Sequence, residues 1–118
     1  MDPLLNTRSG QKKLLLGNQA IVRGAIEAGV AFVTCYPGTP SSEISDTFFQ
    51  LSAETDIYFE YSTNEKVALE VGARAAASRL RTLVVMKHVG VNVAADPLMT
   101  LAYVGVEAGM VEIGRAHV

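Results

Sequence analysis

Three short stretches of this 118-residue chain carry side chains that can act on a ligand. Ser62-Thr63-Asn64-Glu65 sets a carboxylate immediately after a strand-like run. Pro37-Gly38-Thr39-Pro40-Ser41-Ser42 sets a hydroxyl in a dense turn. Lys87-His88-Val89-Gly90-Val91-Asn92 sets an amine, an imidazole and an amide after a third apolar run. A positioned glutamate or histidine can take and return a proton. A hydroxyl at a helix start, together with the free N–H groups there, can receive a carboxylate or a phosphate. A lysine can pair with an anion.

Each of these residues also has a plainer reading. Serine at a helix cap with glutamate three residues on is the capping-box pattern, so Ser62 and Glu65 can simply close a helix end on each other. On spacing alone that reading of Glu65 is the more economical one. Thr39 followed by Pro40 fits a helix cap with proline at the first helical position, where a missing N–H does no harm. A lone loop histidine such as His88 is commonly a surface residue, and Lys87 is by default solvated. Cys35 falls inside an apolar run and reads as an inert core thiol.

The elements that position these loops alternate in type. Gln19 to Ala28 has helical periodicity and ends at Gly29. Val30 to Tyr36 is a β-branched and aromatic run, a buried strand. A helix follows to about Leu51, with Ile44, Phe48 and Leu51 on one face. Ile57 to Tyr61 is a second strand. Glu65 to about Leu80 is a helix with a small-residue stripe of Ala68, Gly72, Ala75 and Ala76, suited to close packing on a sheet. Thr82 to Met86 is a third strand and Lys87 to Asn92 a loop. The next helix spans about Val93 to Tyr103, its start set or bent by Pro97. Met110-Val111 begin a fourth strand. Strands alternating with helices of this length predict an α/β domain built on a parallel sheet. The three chemically equipped loops then share the edge where such sheets bind ligands.

Composition removes several functions. Net charge is −2, which offers no electrostatic attraction to nucleic acid or an anionic membrane. One cysteine cannot make an internal disulfide, ligate an iron–sulfur cluster or build a zinc site, and no metal ligands are assigned within the chain. It fits a reducing cytoplasm. The first residues do not read as a signal peptide, and no run approaches the ~20 apolar residues of a membrane span. No glycine-rich dinucleotide loop is present in the sequence.

Four motifs in order carry a resemblance to a known family. They are Gly17-Asn18-Gln19-Ala20, Tyr36-Pro37-Gly38-Thr39-Pro40-Ser41-Ser42-Glu43-Ile44, Asn64-Glu65-Lys66-Val67-Ala68-Leu69-Glu70, and Met86-Lys87-His88-Val89-Gly90-Val91-Asn92-Val93-Ala94-Ala95-Asp96-Pro97. Together they resemble the N-terminal part of the alpha subunits of indolepyruvate ferredoxin oxidoreductases, within the thiamine diphosphate-dependent 2-oxoacid:ferredoxin oxidoreductases. The resemblance implies a three-layer parallel-sheet domain that binds the cofactor's pyrimidine ring. Glu65 then matches the glutamate that bonds the pyrimidine N1′ atom and activates the cofactor, which calls for a carboxyl in a low-dielectric cleft. Thr39 matches a threonine that holds the carboxylate of the 2-oxo acid. His88, Gly90 and Asn92 are taken as cofactor neighbours from loop position.

The parent enzyme implied by the resemblance decarboxylates aryl 2-oxo acids such as indolepyruvate, forms an acyl-coenzyme A and passes electrons through 4Fe-4S clusters to ferredoxin. The diphosphate and its Mg²⁺ would be held by a missing domain, the clusters by a missing C-terminal part, and a beta subunit would be a partner. On this reading, residues 1–13 are a lead-in and 14–111 a partial pyrimidine-binding domain, truncated on its C-terminal side. Residues 112–118 are a non-native tail, since the septet Glu112 to Val118 looks like the translated sequence of a sequencing-adapter oligonucleotide; His117 then carries no role. The alternatives are another thiamine diphosphate-dependent 2-oxoacid oxidoreductase, a decarboxylase, or a non-catalytic α/β interface module in which Glu65 only caps its helix.

Overall fold

The computed structural model describes residues 1–116; His117 and Val118, the end of the expected tail, lie outside the described residues. Four parallel strands form one sheet in the order β2-β1-β3-β4, with β1 at Phe32–Cys35, β2 at Tyr58–Tyr61, β3 at Thr82–Lys87 and β4 at Met110–Arg115. The helices are α1 (Gly17–Glu27), α2 (Ser42–Leu51), α3 (Glu65–Ala77), the single turn α4 (Gly90–Val93) and α5 (Ala95–Val104). The expected α/β class, the alternation and the parallel sheet are all present.

Alternation along the strands sorts the core into two halves. Val33, Cys35, Leu83 and Val85 pack with Val22 of α1 and with Ile44, Phe48 and Leu51 of α2. Val84 and Met86 point the other way and pack with Ala68 and Leu69 of α3 and with Ala94. Helices thus cover both faces of the sheet, in three layers. The face expected for α2 is the buried one: Ile44 and Phe48 are fully buried and Leu51 nearly so.

The small-residue stripe of α3 has a specific use at Gly72. A Cβ there would lie 2.4 Å from Val84 Cγ2, so only glycine lets α3 come this near β3. Thr34 of β1 reinforces the contact by donating its hydroxyl to the Ala68 carbonyl at 2.8 Å. Because α3 packs on β1 and β3 after leaving β2, its first turn stands above the C-terminal ends of the two central strands.

Three local features add to the sequence reading. The lead-in is docked: Pro3–Leu5 make a 3-10 turn, Leu4 joins the core, and Arg23 donates to the Leu4 and Asn6 carbonyls at 2.6 and 2.8 Å. The stretch after β3 is not all loop, because Gly90–Val93 close a helical turn. β4 continues through Arg115, into the septet expected to be a tail. A parallel ladder is built from main-chain groups, so this pairing accepts any non-proline side chain and is neutral on the septet's origin.

Candidate active site

β1 connects to a strand on one side of it and β3 to a strand on the other, so the crevice between their C-terminal ends is the switch point of the sheet. Loops from β1 and β3 diverge there, and α3 brings Glu65 over it. Glu65 is only 7% exposed. Among the described residues its carboxylate has no hydrogen-bond donor and no ion-pair partner; Lys66 next to it pairs instead with Asp96 at 3.2 Å. A nearly buried carboxylate without a protein partner is costly unless water or a ligand meets it.

Two glycines shape the ground around this group. A Cβ on Gly90 would fall 2.6 Å from Glu65 Cγ and 2.9 Å from Oε1, so the α4 turn lies directly against the Glu65 side chain. A Cβ on Gly38 would fall 2.9 Å from Lys87 Cγ and Cδ, so the aliphatic stem of Lys87 lies across the β1 loop. The structure therefore brings Glu65 to Gly90 and Gly38 to Lys87. His88 and Asn92 are both exposed. His88 is fixed through its main chain, which donates to the Arg115 carbonyl at 2.8 Å, and neither side chain hydrogen-bonds Glu65.

The two expected caps are made differently. Asn64, not Ser62, caps α3: its Oδ1 accepts from the Val67 N–H at 2.9 Å. The Ser62–Glu65 capping box is not formed, and Ser62 Oγ is buried without a partner. Asparagine next to the helix outcompetes a serine two residues further out, which leaves Glu65 free of a capping duty. Likewise α2 begins at Ser42 rather than at Pro40, and Thr39 caps nothing. The Gly38 carbonyl gathers the local donors instead: Ser41 N–H at 2.7 Å, Ser42 N–H at 3.1 Å and Ser41 Oγ–H at 2.7 Å. Thr39, joined to Pro40 by a cis peptide, is left exposed beside it. These assignments give a measurable expectation. Asn64→Ala should lower the urea-unfolding free energy by about 1 kcal/mol, whereas Ser62→Ala, losing an unpaired hydroxyl, should change it by less than about 0.5 kcal/mol.

The surroundings are otherwise inert. Burial pushes the Cys35 thiol up to about 11, with the neighbouring Ser45 hydroxyl opposing and the Asp46 charge adding to the rise. It is a core thiol, as its place in β1 suggested. Tyr61 donates to Asp46 at 2.7 Å and ties the end of β2 to α2; burial first, then this bond, raises its phenol well above the ordinary range. A cavity of about 470 Å³ lies under the lead-in, beside Arg23 and Glu27, and one of about 320 Å³ lies between α3 and α5; neither includes Glu65, Thr39 or His88. Among the described residues no group of His, Cys, Asp or Glu is arranged to hold a metal ion, and no helix is long and apolar enough to cross a membrane.

Sequence reasoning passed over two features. The Gly38–Lys87 contact joins distant loops and has no local signal. Asn18, in the first turn of α1, was noted only as part of a motif, yet it is buried at 6% exposure and reaches the β1 loop.

No protein-family profile matches the chain. It is 56% identical over 111 residues to the indolepyruvate oxidoreductase subunit IorA of Methanothermobacter thermautotrophicus, covering 94% of this chain and 18% of that one. It is 50% identical over 112 residues to the IorA subunit of Pyrococcus horikoshii, covering 95% of this chain and 17% of that one. A shorter likeness, 51% over 41 residues, is to the 2-oxoglutarate synthase subunit KorA of Archaeoglobus fulgidus, 35% of this chain and 12% of that one. In structure the chain matches a 2-oxoglutarate:ferredoxin oxidoreductase from Magnetococcus marinus, at a TM-score of 0.77 and 17% identity, over 88% of this chain and 18% of that one. The chain thus spans under a fifth of the length of each of these relatives.

Proposed function

We propose, for a chain that belongs with the indolepyruvate oxidoreductase IorA subunits and spans one segment of them, that it supplies the carboxylate which activates thiamine diphosphate in a cytoplasmic 2-oxoacid:ferredoxin oxidoreductase. The observation that carries the reading is Glu65: buried, unpartnered, and standing over the switch point of a parallel sheet. The residues present fit an aminopyrimidine. Glu65 is buried with its side chain directly against Gly90, where only glycine admits it, and the Asn64 cap leaves its carboxylate without a capping duty. Glu65 would hold the pyrimidine through N1′, taking and returning a proton at its carboxylate. Exclusion of water around it strengthens that bond. When bound, the cofactor supplies the electron sink for loss of CO₂ from a 2-oxo acid.

Thr39, exposed at the same edge, would donate its hydroxyl to the substrate carboxylate. The diphosphate with Mg²⁺, the 4Fe-4S clusters, ferredoxin and coenzyme A belong to the rest of the enzyme, which includes a beta subunit. Indolepyruvate and similar aryl 2-oxo acids are the proposed substrates, on the strength of the IorA likeness over nearly the whole chain. The KorA likeness favours a second reading, a different 2-oxo acid, over a third of the chain.

The test is a reconstituted enzyme containing this segment, assayed for coenzyme A-dependent ferredoxin reduction. Indolepyruvate should give a higher kcat/KM than 2-oxoglutarate. The opposite order would move the substrate to the second reading, and no reduction with any 2-oxo acid would remove the oxidoreductase assignment. The isolated chain should show no oxidation and at most weak affinity for thiamine diphosphate; tight binding would contradict a divided site.

A further inference from the structure

The amide of Asn18 is unusual for a helix–helix contact. It is 6% exposed, and its Nδ2 donates at 3.0 Å to the Pro40 carbonyl and at 3.0 Å to Glu43 Oε2. Both partners are acceptors only, so the amide cannot be turned round: the nitrogen must face them. Its Oδ1 is then left buried with no donor among the described residues. An apolar side chain of similar size would avoid that orphaned oxygen, so the packing of α1 on α2 does not account for an asparagine here. What the amide does secure is a piece of main chain. Pro40 has no N–H, so its carbonyl is its one backbone handle. The carbonyl on the other side of Thr39, that of Gly38, is already held by Ser41 and Ser42. Thr39 is therefore bracketed by two fixed carbonyls, one secured from within α2 and one from α1.

We infer that Asn18 is a positioning residue for the Thr39 loop: its buried amide clamps the Pro40 carbonyl and the first turn of α2, and so fixes where the Thr39 hydroxyl stands at the sheet edge. The inference rests on the proposed contact between Thr39 and the substrate carboxylate. It concerns substrate affinity and leaves the role of Glu65 untouched, since Asn18 and Glu65 lie on opposite faces of the sheet. A contact made to the substrate carboxylate in the ground state and the transition state alike acts on KM rather than on kcat.

The experiment uses the complete reconstituted enzyme with the variants Asn18→Leu, Asn18→Ala and Thr39→Val. Asn18→Leu fills the volume while removing both donated bonds, and should raise KM for the 2-oxo acid by about tenfold with kcat within about twofold. C2 proton exchange of the cofactor without substrate should be unchanged. Thr39→Val should raise KM comparably, and the double variant should add little to either, because the two residues act through one contact. Hydrogen exchange at the Ser41 and Ser42 amides reads the loop directly and should quicken in Asn18→Leu and Asn18→Ala. Unchanged amide exchange overturns the clamp. Loss of kcat and of C2 exchange together, with KM unchanged, overturns it in favour of a general structural role. If amide exchange quickens while Thr39→Val leaves KM untouched, the clamp stands and the assignment of Thr39 to the substrate falls.

Discussion

Glu65→Gln in the assembled enzyme should slow C2 proton exchange of thiamine diphosphate by about 10² to 10⁴-fold, the range a positioned acid–base group contributes. Glutamine is a near-isostere, so it fills the same space against Gly90 and keeps the first turn of α3 intact. It lacks a group that can ionise. The helix cap is unaffected because Asn64 makes it. Stability should therefore stay nearly constant while cofactor activation collapses, and the separation of the two effects is what distinguishes a catalyst from a helix end. Exchange at the parent rate in Glu65→Gln would return this residue to a structural role and leave the chain as an interface module.

Gly90→Ala should reproduce much of that loss without touching a reactive atom. The added Cβ would lie 2.6 Å from Glu65 Cγ, and one of the two groups must move. Glu65 is the flexible partner, so the cost to folding should sit at the low end of the ~1–3 kcal/mol of overpacking. The cost to chemistry is larger. Displacing the carboxylate by about 1 Å is enough for a rate loss on the order of 100-fold. The check is a double-mutant cycle on C2 exchange. In a Glu65→Ala background there is no long side chain to displace, and adding Gly90→Ala should then change the rate little. Full additivity of the two losses would show that Gly90 acts by some route other than Glu65.

How far these residues could be read from the sequence depends on the range of the interaction that fixes each one. Strand and helix identity is set by local periodicity, and β1, α2, β2, α3 and β3 all lie where that periodicity placed them, within a few residues at their ends. The caps were less legible. Ser62, Asn64, Thr39 and Ser41 all have side chains able to cap, and which one does so depends on main-chain direction at the turn. The single turn α4 has too few residues to show a period. Close approaches were the least legible. Gly38 against Lys87, Gly90 against Glu65 and Asn18 against Pro40 each join segments brought together by the sheet order, and nothing in the local sequence marks the partner. For Glu65 the edge of the sheet was foreseeable, its freedom from the capping box was not, and only its family resemblance distinguished it as a candidate catalyst.

The sheet order has a consequence for how the site comes into being. Phe32 pairs with Tyr58 on one side and with Thr82 on the other, and the second partner is about twice as distant along the chain. Doubling a closing loop adds only about 0.6 kcal/mol of entropy, so the β1–β3 pairing is little harder to hold once made. It does, however, come late: during synthesis a β1–β2 half-sheet can assemble before β3 exists. That early half has Thr39 and Glu65 but no crevice, since the crevice is the gap between β1 and β3 and its floor includes Gly90. On the proposed site, this chain's share of the crevice is therefore completed in one step, when the least local pairing made by β1 closes, and a nascent chain stopped short of it exposes the β1 edge.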